Sequence, residues 1–223
     1  MAFLRRQESL FILLLTLSFS AFSQNSQLQN FTTKDGLPQS QVYDIVQDSI
    51  GYLWLATQGG GLARFDGDEF TVFNEKKGLK SNFLTSLLFK NDSLFIGTHS
   101  GLSIYAKGKF SNYNSPKVNK IVHLGTKIFL ATDKGIYKFE NDSLTPIKSI
   151  IKIDVNPVTY IIKEYDNYLI ATKKGVWNLN KLDNPTKAEL IDDSDYTSFI
   201  KVNKQVVAAT FDSGIKRISE GKM

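Results

Sequence analysis

The chain has 223 residues, with 27 Lys and Arg against 22 Asp and Glu for a net charge of +5, and no cysteine. A surplus this small, scattered as single lysines, describes a solvated surface and excludes a clustered nucleic-acid face; the missing Cys excludes a disulfide framework and a thiol nucleophile. Hydrophobic residues make up 42%, enough for a chain of this length to bury a core without covalent staples.

Residues 1–23 read as a cleaved secretory signal peptide. Arg5 and Arg6 form a positive start, Leu10 to Leu17 is an apolar run broken only by Thr16, and Ala21-Phe22-Ser23 is a small-x-small cleavage site before Gln24. The run is too short to span a bilayer, and no second apolar segment of membrane length follows. The expected product is an exported chain, periplasmic or secreted, covering residues 24–223. Without Arg5, Arg6 and Glu8 its charge is +4.

A short phrase then recurs five times. Its first copy is Leu53-Trp54-Leu55-Ala56-Thr57, a polar step, and Gly61-Leu62-Ala63-Arg64-Phe65; the second is Leu94 to Thr98 followed by Gly101 to Tyr105. The others run from Ile128 to Phe139, Tyr168 to Leu179 and Val206 to Ile218. Their threonines are Thr57, Thr98, Thr132, Thr172 and Thr210, so the copies lie 41, 34, 40 and 38 residues apart. Apolar runs of about five residues bounded by turn signals are strands buried on both faces. A period near forty with such units predicts an all-β protein, a β-propeller of four-stranded antiparallel blades. Gly after the step supplies the positive φ that a tight hairpin needs. The Thr hydroxyl is placed to bond the backbone at the hairpin mouth, which makes all five threonines scaffold rather than ligand contacts.

Cutting each repeat into four strands gives, for the first blade, Val42 to Gln47, Leu53 to Thr57, Gly61 to Phe65 and Phe70 to Phe73, with Asp66-Gly67 turning the last hairpin. The second uses Leu84 to Lys90, Leu94 to Thr98, Gly101 to Tyr105 and Phe110 to Asn114. The five blades fall near residues 42–73, 84–114, 120–147, 158–191 and 196–223. In the fourth, Asn180 to Lys187 with Pro185 lengthens a turn. The fifth stops where its fourth strand should begin, while residues 28–33 match a fourth strand with none before it. Two arrangements fit: a closed ring of five blades completed by residues 28–33, or the front part of a larger propeller.

The residues Phe31-Thr32-Thr33-Lys34-Asp35-Gly36-Leu37-Pro38-Gln39-Ser40, Val42-Tyr43-Asp44-Ile45, Gln47-Asp48 and Gly51-Tyr52-Leu53-Trp54-Leu55-Ala56-Thr57 resemble the two-component regulator propeller repeats of hybrid sensor kinases in Bacteroidetes-type bacteria. Gly60-Gly61-Leu62, Phe65-Asp66-Gly67, Phe70 and Lys77-Gly78-Leu79-Lys80-Ser81-Asn82 extend the likeness. It is close over residues 31–114; the third and fourth blades keep Ala-Thr-x-x-Gly but lose the Asp-Gly-Leu start and the Trp. The resemblance implies an extracellular sensing module and makes the larger propeller a seven-bladed one, joined in the intact family to a second such propeller, an immunoglobulin-like domain, a membrane helix and a cytoplasmic kinase. It further implies recognition of oligosaccharides and signalling as a dimer. None of the downstream parts occurs within these residues.

No catalytic set can be assembled. His99 falls in a loop step and His123 on an apolar strand, where it is expected to pack; a metal site needs three or four convergent groups, so neither a metal nor a cofactor is expected. Asp192, Asp193 and Asp195 read as a solvated loop, and Trp54 and Trp177 as core. The residues therefore predict a non-catalytic module. Its ligand would meet the steps between second and third strands, at Gln58, His99, Asp133, Lys134, Lys173, Lys174 and Asp212, because variable polar residues at equivalent points of a rigid repeat make a binding face. The expected partners are an oligosaccharide or other small ligand and a second copy or partner sensor, with no nucleic acid and no membrane span. The alternative is a secreted protein-interaction scaffold without a small-molecule site.

Overall fold

A computed structural model describes residues 28–147, 157–183, 185–203 and 205–218, and it carries each repeat as one antiparallel sheet. The first blade is β1 (Val42–Gln47), β2 (Leu53–Thr57), β3 (Gly61–Phe65) and β4 (Phe70–Phe73); the second is β5 (Leu84–Lys90), β6 (Ser93–Thr98), β7 (Gly101–Ala106) and β8 (Lys109–Asn114). The third is β9 (Val118–Leu124), β10 (Lys127–Thr132), β11 (Gly135–Glu140) and β12 (Ser143–Pro146), and the fourth β13 (Val158–Glu164), β14 (Asn167–Thr172), β15 (Gly175–Leu179) and β16 (Ala188–Asp192). The fifth holds three strands among the described residues, β17 (Tyr196–Val202), β18 (Gln205–Thr210) and β19 (Ile215–Ile218). The first-blade strands coincide with those expected from sequence, and most others differ by a residue at one end.

The repeated phrase works as its chemistry suggests. Thr57 Oγ1 donates to the Gly61 carbonyl at 2.6 Å, and Thr98, Thr132, Thr172 and Thr210 do the same to Gly101, Gly135, Gly175 and Gly214 at 2.9, 2.7, 2.9 and 2.9 Å. Each of those glycines has a positive φ, from 73° to 127°. In the two-residue turn Asn91-Asp92 both residues are left-handed, at φ 49° and 53°, the conformation whose twist matches a right-handed hairpin.

The core lies between blades. Trp54, Ala56 and Leu62 pack on Leu84, Leu87 and Ile96 of the second blade, and Phe95, Leu102 and Ile104 pack on Val118, Ile121 and Leu130 of the third. Second strands are consequently covered on both faces: Leu94 to Thr98 are all buried. First strands contact in chain order, β1 with β5, β5 with β9, β9 with β13 and β13 with β17, and no contact of like extent joins β17 to β1. The five sheets stack side by side as the blades of a propeller.

A bulge in each first strand builds the joints. The strand skips one residue of its ladder at Tyr43, Thr85, Asn119, Thr159 and Thr197, and a skipped residue turns out of the sheet. Three of these reach the next blade: Thr85 Oγ1 donates to the Val118 carbonyl at 2.6 Å, Asn119 Nδ2 to that of Val158 at 2.8 Å, and Thr159 Oγ1 to that of Tyr196 at 2.6 Å. Asp44 adds a tie across three blades, its Oδ2 accepting from Ser86 Oγ at 3.2 Å, the Leu87 N–H at 2.9 Å and Lys120 Nζ at 2.8 Å.

Residues 28–33 form no strand. Residues 28–32 are irregular, and Thr33–Asp35 is a 3-10 turn, capped by the Thr32 side chain and closed by Gly36 at φ 100°. A strand is held by its ladder, and β19 has no fourth strand beside it among the described residues. The turn is instead the counterpart of Glu75–Lys77 with Gly78 at φ 98°, ahead of the second blade. The signal peptide and the start of a fourth strand at Met223 lie outside the described residues.

Candidate ligand-binding face

The steps between second and third strands emerge at the same end as the connections that lead into each new blade. Backbone bonds pin the two together: the N–H groups of Gln58, His99, Asp133 and Phe211 donate to the carbonyls of Gln41, Phe83, Lys117 and Asp195 at 3.0, 3.0, 3.1 and 2.9 Å. The rim therefore has a rigid backbone and variable side chains.

Over the first three blades the structure brings several of those side chains together. The backbone of Gln58 pairs with that of Phe83 in a single antiparallel bridge, and the Phe83 ring stacks on His99 with centroids 5.4 Å apart and planes 21° from parallel. Phe83 is 47% exposed. Gly59 permits that position, since a Cβ there would stand 3.3 Å from the ring. His99 is held below the ordinary imidazole value, first by burial and then by the Lys117 charge, with Asp133 opposing; it is neutral at pH 7 and able to accept or donate one hydrogen bond. Asp133 in turn accepts from Asn119 Nδ2 at 3.0 Å.

Lys134, Lys173 and Lys174 stand exposed at the same step of the third and fourth blades. The N–H groups of Lys134 and Lys174 donate to the Oγ1 atoms of Thr132 and Thr172. Asp212 accepts from Ser213 Oγ at 2.9 Å, next to a Phe211 that is 81% exposed. Of the seven residues expected from sequence, Gln58, His99 and Asp133 join one cluster and the rest continue the rim. Sequence reasoning missed Phe83, Lys117 and Asn119, which come from the incoming connections and the bulge. Those places lie outside the repeated phrase.

Other expectations divide. Trp54 is core, 4% exposed, with Nε1 donating to Asp48 Oδ2 at 2.8 Å, and Trp177 packs at the edge of the core between the third and fourth blades. His123 does not pack: strand alternation turns it to the surface, where it meets Lys90 Nζ. Asp192 is not a bare loop residue but closes β16, accepting the Ser194 N–H at 2.8 Å and pairing with Lys216 at 3.1 Å. These bonds, the backbone one foremost, hold its carboxyl below the usual range. Among the described residues no group of three or more His, Cys, Asp or Glu is placed to hold a metal, and no helix is long and apolar enough to cross a membrane.

Comparison with known proteins places this geometry. The family model described as two component regulator propeller matches residues 36–59, which hold β1, β2 and the first rim step. Over 59 residues, 26% of this chain, the sequence is 46% identical to histidine kinase P4 of Formosa agariphila, of which the match spans 4%. The fold is similar to the extracellular domain assigned to a hybrid two component system of B. thetaiotaomicron, with a TM-score of 0.57 at 18% identity over 87% of this chain and 37% of that one. It is similar also to the WD40 propeller domain of Doa1, with a TM-score of 0.60 at 14% identity over 80% of this chain and 65% of that one. The chain thus spans a small part of the curated kinase and well under half of the B. thetaiotaomicron domain. With its phrase repeated through five stacked sheets, the chain is a β-propeller that carries a two-component regulator propeller repeat at residues 36–59.

Proposed function

We propose that this chain is an exported, non-catalytic sensing module of a two-component system, and that its rim binds an oligosaccharide or other small ligand. The observation that carries the reading is the Phe83 and His99 stack, an exposed aromatic face flanked by Gln58, Lys117 and Asp133 on a rigid backbone. An aromatic face beside a few fixed polar groups is the usual chemistry of sugar recognition. In the intact sensor the ligand's differential affinity for two states of the module would bias the attached kinase, with a dimer as the transmitting unit.

The test is a thermal-shift screen of the purified chain against an oligosaccharide panel. A true ligand at about a hundred times its Kd stabilises the fold by ~2.7 kcal/mol. Phe83→Ala removes that shift while leaving the unliganded melt in place. A panel without any shift, or shifts that survive Phe83→Ala and His99→Ala, overturns the rim site and favours the scaffold reading.

A further inference from the structure

At the opposite end of the first two blades the repeat breaks its own pattern. The hairpin between β1 and β2 runs through Asp48, Ser49, Ile50, Gly51 and Tyr52, whereas the second blade turns in Asn91 and Asp92 alone. The longer turn stands over a crevice of about 250 Å³ between the blades, walled by Tyr52, Trp54, Arg64, Phe89, Tyr105 and Lys107. Trp54 and Arg64 are cross-strand partners. Phe95 and Ile104 are the equivalent pair in the next blade, and there Ile104, 8% exposed, belongs to the inter-blade core. Blade one therefore places a guanidinium where its neighbour places an apolar side chain.

That guanidinium is incompletely satisfied. It lies 4.5 Å from the Tyr52 ring centroid and 5.9 Å from that of Trp54; its Nη2 reaches Thr71 Oγ1 only at 3.5 Å, and its Nε is buried with no hydrogen-bond partner. The nearby carboxylates are committed elsewhere. Asp48 Oδ1 accepts the N–H groups of Ile50, Gly51 and Tyr52, each at 3.0 Å, and its Oδ2 takes the Trp54 indole. Asp92 accepts from Ser49 Oγ at 3.1 Å. Among the described residues neither Arg64 nor Lys107 has a carboxylate within ion-pair distance. A buried cationic donor without an acceptor is costly, and aromatic walls relieve the charge without satisfying the N–H.

We propose that this crevice is a binding site for a small carboxylate carried on a ring, no larger than one sugar unit. The carboxylate meets Arg64 side-on through Nε and a terminal nitrogen, the bidentate geometry that a guanidinium favours. The ring lies against the aromatic wall, and Lys107 adds charge at the mouth. The volume sits at or below the small end of the range for ligand pockets and rejects chains of sugars. The site is on the far end of the blades from the rim, so it stands whether or not the rim binds a glycan.

The experiment titrates the full chain, carrying Trp177→Phe so that Trp54 is the sole indole, with glucuronate, benzoate and glucose. Its readouts are Trp54 fluorescence and the Arg64 Nε–H resonance. Glucuronate or benzoate is expected to bind at about 1 mM or tighter and to shift the Arg64 signal; whichever of the two binds identifies the ring as saccharide or aromatic. Arg64→Met should weaken binding by about ten- to a hundredfold, and Lys107→Met by less. Equal binding of glucose, no binding of either acid, or an unmoved Arg64 resonance overturns the proposal. The resonance keeps the test decisive even where Arg64→Met fails to fold.

Discussion

Adding one carbon to Gly101 probes the hairpin mouth on which every blade depends. Gly101 opens β7 at φ +127°, and a Cβ built there would meet the Tyr113 carbonyl oxygen at 2.4 Å and the Ser115 nitrogen at 2.9 Å. Both are backbone atoms, so no side-chain rotation relieves the clash. For Gly101→Ala the unfavourable φ costs about 1–3 kcal/mol. Moving β8 away at that end sacrifices one or two ladder hydrogen bonds at about 0.5–1.5 kcal/mol each. The expected loss is roughly 2–5 kcal/mol, which for a domain of this size lowers Tm by roughly 5–20 °C. Gly108→Ala is the control: its φ is +78°, but nothing lies within 4 Å of the new atom, leaving only the backbone term of about 1 kcal/mol. Far-UV circular dichroism melts of the two variants decide the matter. Equal melting temperatures would refute the view that close approach of strands, rather than turn conformation alone, fixes glycine at this place.

Two further outcomes follow from particular contacts. Asp44→Ala removes an acceptor shared by Ser86, Leu87 and Lys120 from a side chain only 17% exposed, so a denaturant midpoint corresponding to a loss of about 2–3 kcal/mol is expected. A cycle with Lys120→Met should show coupling between the two sites; additive losses would dissolve the three-blade tie. For pH, His99 and His123 are both held below the ordinary imidazole value, first by partial desolvation of the ring and then by a lysine neighbour. Between pH 6.5 and those lowered values the unfolded chain holds more protons than the native one, so stability falls as pH falls through that window and levels off below it. His99→Gln should flatten part of the slope in urea midpoints taken from pH 5 to 8, and an unchanged slope counts against the assignment.

The strands were readable because each is specified locally: an apolar run, a Thr, a polar step and a Gly whose φ no other residue tolerates well. The joints between blades were not. Thr85, Asn119 and Thr159 act across blades only because a bulge displaces them from the ladder, and one skipped residue changes which face every later side chain takes. That shift places Asp44 against Ser86 and Lys120, far apart in the chain. His123 shows the same limit at smaller scale, since an apolar neighbourhood in sequence does not say to which side a strand residue points. The rim was half legible: the steps carrying Gln58, His99 and Asp133 stood at repeated positions, while Phe83 and Lys117 come from connections that repeat in geometry and not in composition. Arg64 was visible only as a variable position of the phrase, and its lack of a partner became visible once Trp54 and Tyr52 were placed around it.

The joints also imply that the blades are unequally stable. In stacked repeats, stability is close to a sum of each unit and its interfaces with neighbours. The second and third blades are covered on both faces, and Leu94, Ile96, Leu102 and Leu130 are at most 1% exposed. Among the described residues the fifth is covered on one. Its bulge residue Thr197 turns back to the Ala209 carbonyl of its own sheet at 3.2 Å, while Ile200, Val202 and Ile215 are 61%, 46% and 79% exposed on one face. The first blade lies between these cases, since the segment that precedes it leans on it: the Cβ position of Gly36 is 3.6 Å from Phe70, and that of Gly60 is 2.9 Å from Gln39. Native-state hydrogen exchange on this chain should therefore show amides of β17 to β19 opening first, with free energies well below the global value, and those of β6 and β10 opening only with the whole domain. Uniform protection from β1 to β19 would mean that the inter-blade joints contribute little, and that each sheet stands by its own ladder.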